Sequence, residues 1–420
     1  MTDAGAGPIA RGSVARVGVA TVLSALCGYA VLYLAARNLD PAGFSVFAVF
    51  WGAFGLVGGA AYGLLQEATR EVRAKRSHEV SDGPQAHPMR VAAGLGLVAA
   101  VVMAGTSPLW AGHVFVESRS LSVVLLSAGL AGFCVHATLL GMLAGVGRWS
   151  EYGALMVADA GTRVAIAVAT FLAGWGLVGY LWATVGGALA WLLLLVVSPA
   201  ARAAAQLSAP GGTTTFLRGA SHSIAAAGAS AILVMGFPVL LKSVAGDLGA
   251  EGGVVILAVT LTRAPLLVPL TAMQGNLIAH FVDQRHHRLR ALIAPTALVA
   301  VFGAAGVLLA GVFGPWLLRE AFGAQYQADG ALLAWLTAAA VAIAVLTLTG
   351  AATVAAALHR AYASGWVIAT VASTLLLLLP LDLEVRTVLA LLCGPFFGIG
   401  VHLVALWRVP APASPTSGTP

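Results

Sequence analysis

Charge is what this sequence has least of. Asp, Glu, Lys and Arg together make up 9% of its 420 residues, whereas 60% are hydrophobic. A soluble domain carries roughly 25% charged residues, so a water-soluble globular fold is excluded and a polytopic helical membrane protein is expected. Cysteine is nearly as scarce. Cys27, Cys134 and Cys393 stand singly in apolar runs, which gives neither a disulfide framework nor a metal-ligand spacing. His136 and His402 are alone in apolar stretches and His113 sits in a short loop, while His286 and His287 have no Cys or carboxylate at ligand distance in sequence. The sequence also has no Walker loop, so it does not drive itself with ATP. No catalytic residue, metal site or cofactor is therefore expected, and an enzyme is not. The formal net charge of +6 implies no nucleic-acid partner, because basic residues of a membrane protein sit in its loops and set its orientation.

What the chain does have is long apolar runs. Stretches of about 20 residues, enough to cross a bilayer, fall near 14–36, 43–65, 89–110, 121–146, 152–173, 176–197, 219–241, 253–275, 290–313, 330–357, 362–380 and 386–407. That makes twelve expected transmembrane helices. The first run is a full-length span with no cleavage site behind it, so it reads as a retained helix and not as a signal peptide. The loops are short, and the longest, about 66–88 and 198–218, are polar and contain Pro or Gly. Alternate loops and ends hold 15 Lys and Arg on one side against five on the other, namely Arg37, Arg119, Lys242, Arg319 and Arg386. The positive-inside rule then places both termini in the cytoplasm of a multi-pass cell-membrane protein.

The two halves look alike. Leu32 to Glu67 and Leu240 to Asn276 each show a helix ending on a basic residue (Arg37, Lys242), then an acidic Gly-containing turn, then a helix closing on Gln (Gln66, Gln274). The offset is close to 208 residues, half the chain. Six spans per half is an even number, so the repeats share orientation and pack about an axis along the membrane normal. The expected organisation is an N-terminal six-helix bundle over 1–200, a cytoplasmic linker over 201–217, a C-terminal bundle over 218–408, and a disordered cytoplasmic tail over 409–420.

A few charges fall inside the spans. Arg263 lies near the middle of the eighth, where a cation costs at least ~2.5–3.5 kcal/mol and usually faces a wet interior. Pro265 and Pro269 follow it, each removing a backbone donor and inviting a kink. With no acid in helical reach, Arg263 is expected to meet either an anion from outside the chain or a group on another helix. In the fifth span, Asp159 and Arg163 are four residues apart and share a helix face. They form a self-neutralising structural pair, or Asp159 turns Arg163 toward a cavity as a second cation; the spacing leaves both open. Arg37 and Lys242 stand at the outer mouth, as functional cations or as snorkelling interfacial ones. Glu67 and Arg70 read as loop anchors at the cytoplasmic boundary. The glycines, as in Gly186–Gly187, read as helix-packing positions.

The run AARNLDPAGFSVFAVFW followed by QEATREVRAKR resembles the opening of the bacterial polysaccharide flippases of the multidrug/oligosaccharidyl-lipid/polysaccharide (MOP) exporter superfamily. Those openings carry a basic residue, a short L-x-P-x-x-(F/Y)-G-like turn and a long second helix; Ser45 stands where Gly is common in the turn. Leu261 to Leu266, LTRAPL, is similar to the eighth span of actinobacterial members. Twelve helices in two six-helix bundles with both ends inside is also that superfamily's plan, the MATE-like fold. The resemblance implies a transporter that flips a polyprenyl-pyrophosphate-linked oligosaccharide, a precursor of cell-surface polysaccharide, to the outer leaflet by alternating access. The family's lipid II flippase lines its cavity with arginines, one of them on the eighth span, where this sequence has Arg263. Arg263, Arg163, Arg37 and Lys242 are then the candidate pyrophosphate-binding residues, with Asp159, Gln66, Gln274 and Pro265 in support. The implied partners are the lipid-linked glycan, the bilayer and the polymerase or glycosyltransferases of the same pathway; coupling to an H⁺ or Na⁺ gradient stays open.

Two other readings compete. A cation-coupled multidrug antiporter of the same superfamily wants membrane-embedded acids, and here the first span has none while Asp159 is matched with Arg163. A membrane-embedded glycan polymerase or glycosyltransferase needs a large outward loop, and the longest here is only around 15 residues.

Overall fold

The computed structural model describes residues 11–77, 84–115, 117–210, 212–284 and 287–408, so the expected tail over 409–420 lies outside the described residues. The chain is helical almost throughout. In order come α1 (Arg11–Asn38), α2 (Pro41–Ser77), α3 (Pro88–Val114), α4 (Arg119–Gly145), α5 (Trp149–Ala173), α6 (Gly176–Gly186), a 3₁₀ turn (Gly187–Leu189), α7 (Ala190–Val197) and α8 (Pro199–Ala205). Then follow α9 (Gly212–Val234), α10 (Phe237–Ala245), α11 (Gly249–Ala272), α12 (Gln274–Asp283), α13 (Arg288–Phe322), α14 (Gly330–Ala355), α15 (His359–Leu377) and α16 (Leu383–Arg408). Two-residue strands, β1 (Gln85–Ala86) and β2 (Ala209–Pro210), pair antiparallel and join the two longest loops.

Among the described residues ten helices are long and apolar enough to cross a membrane, or eleven if α9 and α10, bent by 63° at their junction, count as one. The expected span at 219–241 is that broken pair. Gly236 caps the break and Pro238 opens α10, where a missing backbone donor costs nothing. The expected span at 362–380 is α15, which is not among the ten. It starts on His359 and Arg360 and carries Ser364, Thr370, Ser373 and Thr374, although its 19 residues still reach about 28 Å. The second expected span, 43–65, is much longer as a helix: α2 runs 37 residues, about 55 Å, so Glu67 and Arg70 are helical and not in a loop.

The chain divides into two compact units, Met1–Gly253 and Val254–Pro420. The expected boundary at 201–217 is displaced, and the packing of α2 gives the reason. Phe44, Phe47, Phe50 and Phe54 form one buried stripe along α2, spaced as a helix face requires. The glycines further along let neighbours come close. Gly59 abuts Ala231 and Gly63 abuts the Ile224 backbone on α9, while Gly52 abuts Met235 and Pro238. The seventh span is therefore held by the second, and it stays with the first unit. On α4, Gly141 meets the Leu65 carbonyl and Phe133 fills the space beside Gly58. Close small-residue contacts of this kind are how helices associate in lipid.

The second unit is built around α14, whose Ala, Thr and Leu residues are buried over most of its length. α15 and α16 meet through Gly398 on the Gly365 carbonyl and Gly394 on Ser373, whose hydroxyl donates to the Ala390 carbonyl at 2.8 Å. α13 instead displays its apolar side chains: Val301, Phe302, Leu308 and Val312 are 64–71% exposed. A band of that size on a soluble protein would be an interaction patch; on a 35-residue apolar helix it is the surface that meets lipid tails.

Candidate functional site: the charges inside the spans

In the first unit, Asp159 and Arg163 do pair. Arg163 Nη2 donates to Asp159 Oδ1 at 3.0 Å and Nε reaches the two carboxylate oxygens at 3.2 and 3.3 Å. The third nitrogen, Nη1, donates to the Thr184 carbonyl on α6. The guanidinium carbon also lies 5.1 Å from the centre of the Phe54 ring, within reach of a cation–π contact. Every nitrogen of this guanidinium is thus engaged, and the side chain is only 12% exposed.

The backbone around this pair is shaped for it. α6 gives way to the 3₁₀ turn at Gly187, three residues after Thr184. A Cβ on Gly187 would collide with the Asp159 carboxylate, the Asp159 carbonyl and Arg163 Nε, and one on Gly186 with Ile166. The paired glycines therefore let α6 sit directly on the charged face of α5. Irregular backbone at membrane depth survives only where its polar groups are satisfied inside the protein, and Arg163 satisfies one of them. Next to this cluster runs an aromatic set: Phe54 on Phe133 (5.9 Å), Tyr62 on Phe133 (5.4 Å), and Phe133 stacked on His136 (5.2 Å). His136 is 2% exposed, and its Nδ1 is buried with no hydrogen-bond partner among the described residues.

The other candidates of this unit sit apart from that pair in the sequence and in their environment. Arg37 is exposed in the last turn of α1, where a cation complements the helix dipole. Lys242 occupies the same place on α10 but is 8% exposed, so it is buried and does not snorkel. The acidic turns after them act as caps: Asp40 Oδ1 accepts from the Gly43 N–H at 2.9 Å, and Asp247 Oδ1 from the Gly249 N–H at 3.3 Å. Gln66 is exposed on α2. The next residue, Glu67, is 2% exposed and clasped by Arg70, at 2.6 Å from Nη2 and 3.1 Å from Nε. Glu67 needs Gly219 of α9 beside it, because a Cβ there would overlap its carboxylate. Glu71 also reaches Arg70, at 2.9 Å.

In the second unit, Arg263 is 7% exposed on α11. Pro265 and Pro269 lie within the same helix, which continues to Ala272. Each proline removes an i→i−4 bond, and the helix breaks at Met273 before α12 begins at Gln274. The side chain of Gln274 lies outside the described residues. A residue with no prior assignment stands out here: His402, fully buried, bonds Thr349 Oγ1 at 3.0 Å through Nδ1 and the Tyr362 carbonyl at 3.2 Å through Nε2. Its ring occupies the space that a Cβ on Gly365 would take. Sequence reasoning also missed Thr184, Gly187 and Phe54 as partners of Arg163. Gly186–Gly187 was a visible signal of close packing, but nothing in the sequence says what packs there. Among the described residues no group of three or more His, Cys, Asp or Glu is placed to hold a metal ion.

No family model matches the chain. A protein of Mycobacterium tuberculosis (strain ATCC 25618 / H37Rv), named only as uncharacterized protein Rv3630, is 72% identical over 408 residues, 97% of this chain and 95% of the relative. Among solved structures, a multidrug resistance MATE family transporter of the MOP superfamily in its inward-facing conformation superposes with a TM-score of 0.70 at 17% identity, over 93% of this chain and 98% of that one. A MOP superfamily transporter from Pyrococcus furiosus, for which reverse polarity of the binding pocket suggests a different function, has a TM-score of 0.60 at 14% identity, over 94% and 95%. These likenesses show that the chain has the fold of MOP transporters.

Proposed function

We propose that this chain, which belongs to one family with the Mycobacterium tuberculosis protein Rv3630, carries a polyprenyl-pyrophosphate-linked oligosaccharide from the cytoplasmic to the outer leaflet by alternating access. One observation carries the reading: the balance of charge inside the spans is positive. Among the described residues the carboxylate at the centre of a span is Asp159, and Arg163 already neutralises it at 3.0 Å. Arg263 adds a second buried guanidinium on α11. A pyrophosphate diester brings about two negative charges that cannot enter hydrocarbon alone, and a planar guanidinium fork suits phosphate oxygens better than a point-like ammonium.

Arg263 is the proposed grip on the pyrophosphate, with the prolines beside it letting α11 deform as the site changes access. Lys242 and Arg37, at the far ends of their helices, are the proposed release stations. Arg163 is held by its own carboxylate and is assigned to architecture. A fold shared with MATE transporters favours a second reading, export of cationic drugs coupled to an ion. Against it, the central acid that such coupling wants is taken. That the fold also serves a pocket of reversed polarity in the Pyrococcus protein supports a passenger of the other sign.

The deciding experiment is expression in cells whose own lipid-linked-glycan flippase has been deleted. Restored surface polysaccharide with unchanged drug susceptibility is expected. Raised drug resistance without restored glycan would install the antiporter in its place.

A further inference from the structure

The cytoplasmic end of the second unit carries a feature that the transport reading does not use. Residues of α15 and α16 line an open groove of about 570 Å³ there, among them Ala361, Ser364, Phe397, Gly400, Val404 and Arg408. Its walls are small or apolar, and its cytoplasmic end is basic. Arg408 closes α16 and lines the groove, Arg360 immediately precedes the lining residue Ala361 in α15, and both arginines are exposed. Trp407, 74% exposed, marks the same level, as interfacial aromatics do. Arg288 and Arg290 open α13 at this end too, against Asp283 as the acid among the described residues there.

The groove's length fixes what fits it. From Phe397 to Arg408 is eleven residues along α16, about 16 Å at ~1.5 Å per residue. That is half of the ~30 Å hydrocarbon core. An amphiphile seated here has its head at Arg408 and Arg360 and its chain ending at mid-membrane, which is the posture of a lipid belonging to that one leaflet. A polyprenyl tail of many isoprene units is far longer than the slot. Basic pockets between helices on the cytoplasmic side are where anionic headgroups bind. The geometry points to a bound anionic phospholipid of the cytoplasmic leaflet, its acyl chain in the α15/α16 groove and its phosphate on Arg408 and Arg360. This inference stands whatever the protein carries.

The test is native mass spectrometry of the full chain in detergent, titrated with phosphatidylglycerol or phosphatidylcholine. Phosphatidylglycerol is expected to bind on the order of tenfold more tightly, and Arg408→Ala to weaken it about fivefold, the worth of one interfacial arginine. Gly400→Leu separates chain from headgroup. A Cβ at Gly400 meets no atom within 4 Å, so the variant fills the groove without disturbing the helix packing, and it is expected to lose the retained lipid at an unchanged unfolding temperature. Equal binding of the two lipids overturns the inference, as does wild-type binding by Gly400→Leu. Preference for a polyprenyl phosphate with the same sensitivity to Gly400→Leu would give the groove to the passenger's tail and overturn it as well.

Discussion

The two halves of this chain do not put their buried charge at corresponding positions. Helix starts recur at about 208 residues: Pro41 of α2 and Gly249 of α11, Trp149 of α5 and His359 of α15, Gly176 of α6 and Leu383 of α16. At that offset the positions of Asp159 and Arg163 are Val367 and Val371, and Gly187 becomes Pro395. In the other direction, the position of Arg263 is Gly55, which packs against Met235. These helix starts recur, and the buried charges do not. The α5–α6 contact is ionic and sits on an interrupted helix, whereas α15 meets α16 through neutral hydrogen bonds of Ser373 and His402. The valines at the corresponding positions are about half exposed, Val367 at 47% and Val371 at 52%, so α15 and α16 pack without them. The ion pair goes with the interrupted helix at Gly187, and the continuous α16 has no such break.

The largest effect expected from disturbing this comparison is at Asp159. Asp159→Ala strands Arg163 in a buried site, which costs about 3–5 kcal/mol, visible as a collapse of the unfolding temperature in detergent. Copying the other half, with Asp159→Val and Arg163→Val together, is expected to restore most of that loss, since well-packed apolar replacements of buried ion pairs are often neutral or better. A double variant as unstable as the single one would mean that the pair does more for α5 and α6 than cancel its own charge. Next comes Gly187→Ala, whose methyl group meets the Asp159 carboxylate and is expected to cost about 1–3 kcal/mol. Gly161→Ala on the same stretch of α5 meets no atom within 4 Å and should be neutral or stabilising. Thermal scans of the pair give the contrast directly, and equal values would remove the close approach as its cause. Smallest is Thr349→Val, which deletes one hydrogen bond of His402 in the second half and is expected to cost about 1 kcal/mol. A loss as large as that of Asp159→Ala would mean that the second half relies on polar contacts as heavily as the first.

Much of this was legible from hydropathy and spacing. Apolar length located the helices, and the i, i+4 spacing of Asp159 and Arg163 declared their pairing. Three things were not legible, each for a physical reason. Hydropathy measures the part of a helix that lies in lipid, so it ended the second span near residue 65 while the backbone continues to Ser77. It also averages across breaks, so the 63° bend after Val234 vanished into one apolar run, although Gly236 and Pro238 were there to mark it. Finally, a side chain's partner on another helix leaves no trace in its own segment. Thr184 accepts from Arg163 across 21 residues, and only the two glycines beside it hinted at contact. The same limit made Lys242 look interfacial when it is buried.

In the proposed function the buried guanidinium of Arg263 on α11 holds a phosphate-bearing passenger. Purified protein in liposomes, loaded with a fluorescent polyprenyl-pyrophosphate oligosaccharide in one leaflet, measures it by the rate at which label reaches the other. Losing charge-assisted hydrogen bonds worth about 1.5–3 kcal/mol slows transport roughly 10- to 100-fold, so Arg263→Ala is expected to fall by that much, with Arg263→Lys between it and wild type. An alanine variant that flips the lipid at the wild-type rate, at equal protein per vesicle, would remove Arg263 from transport.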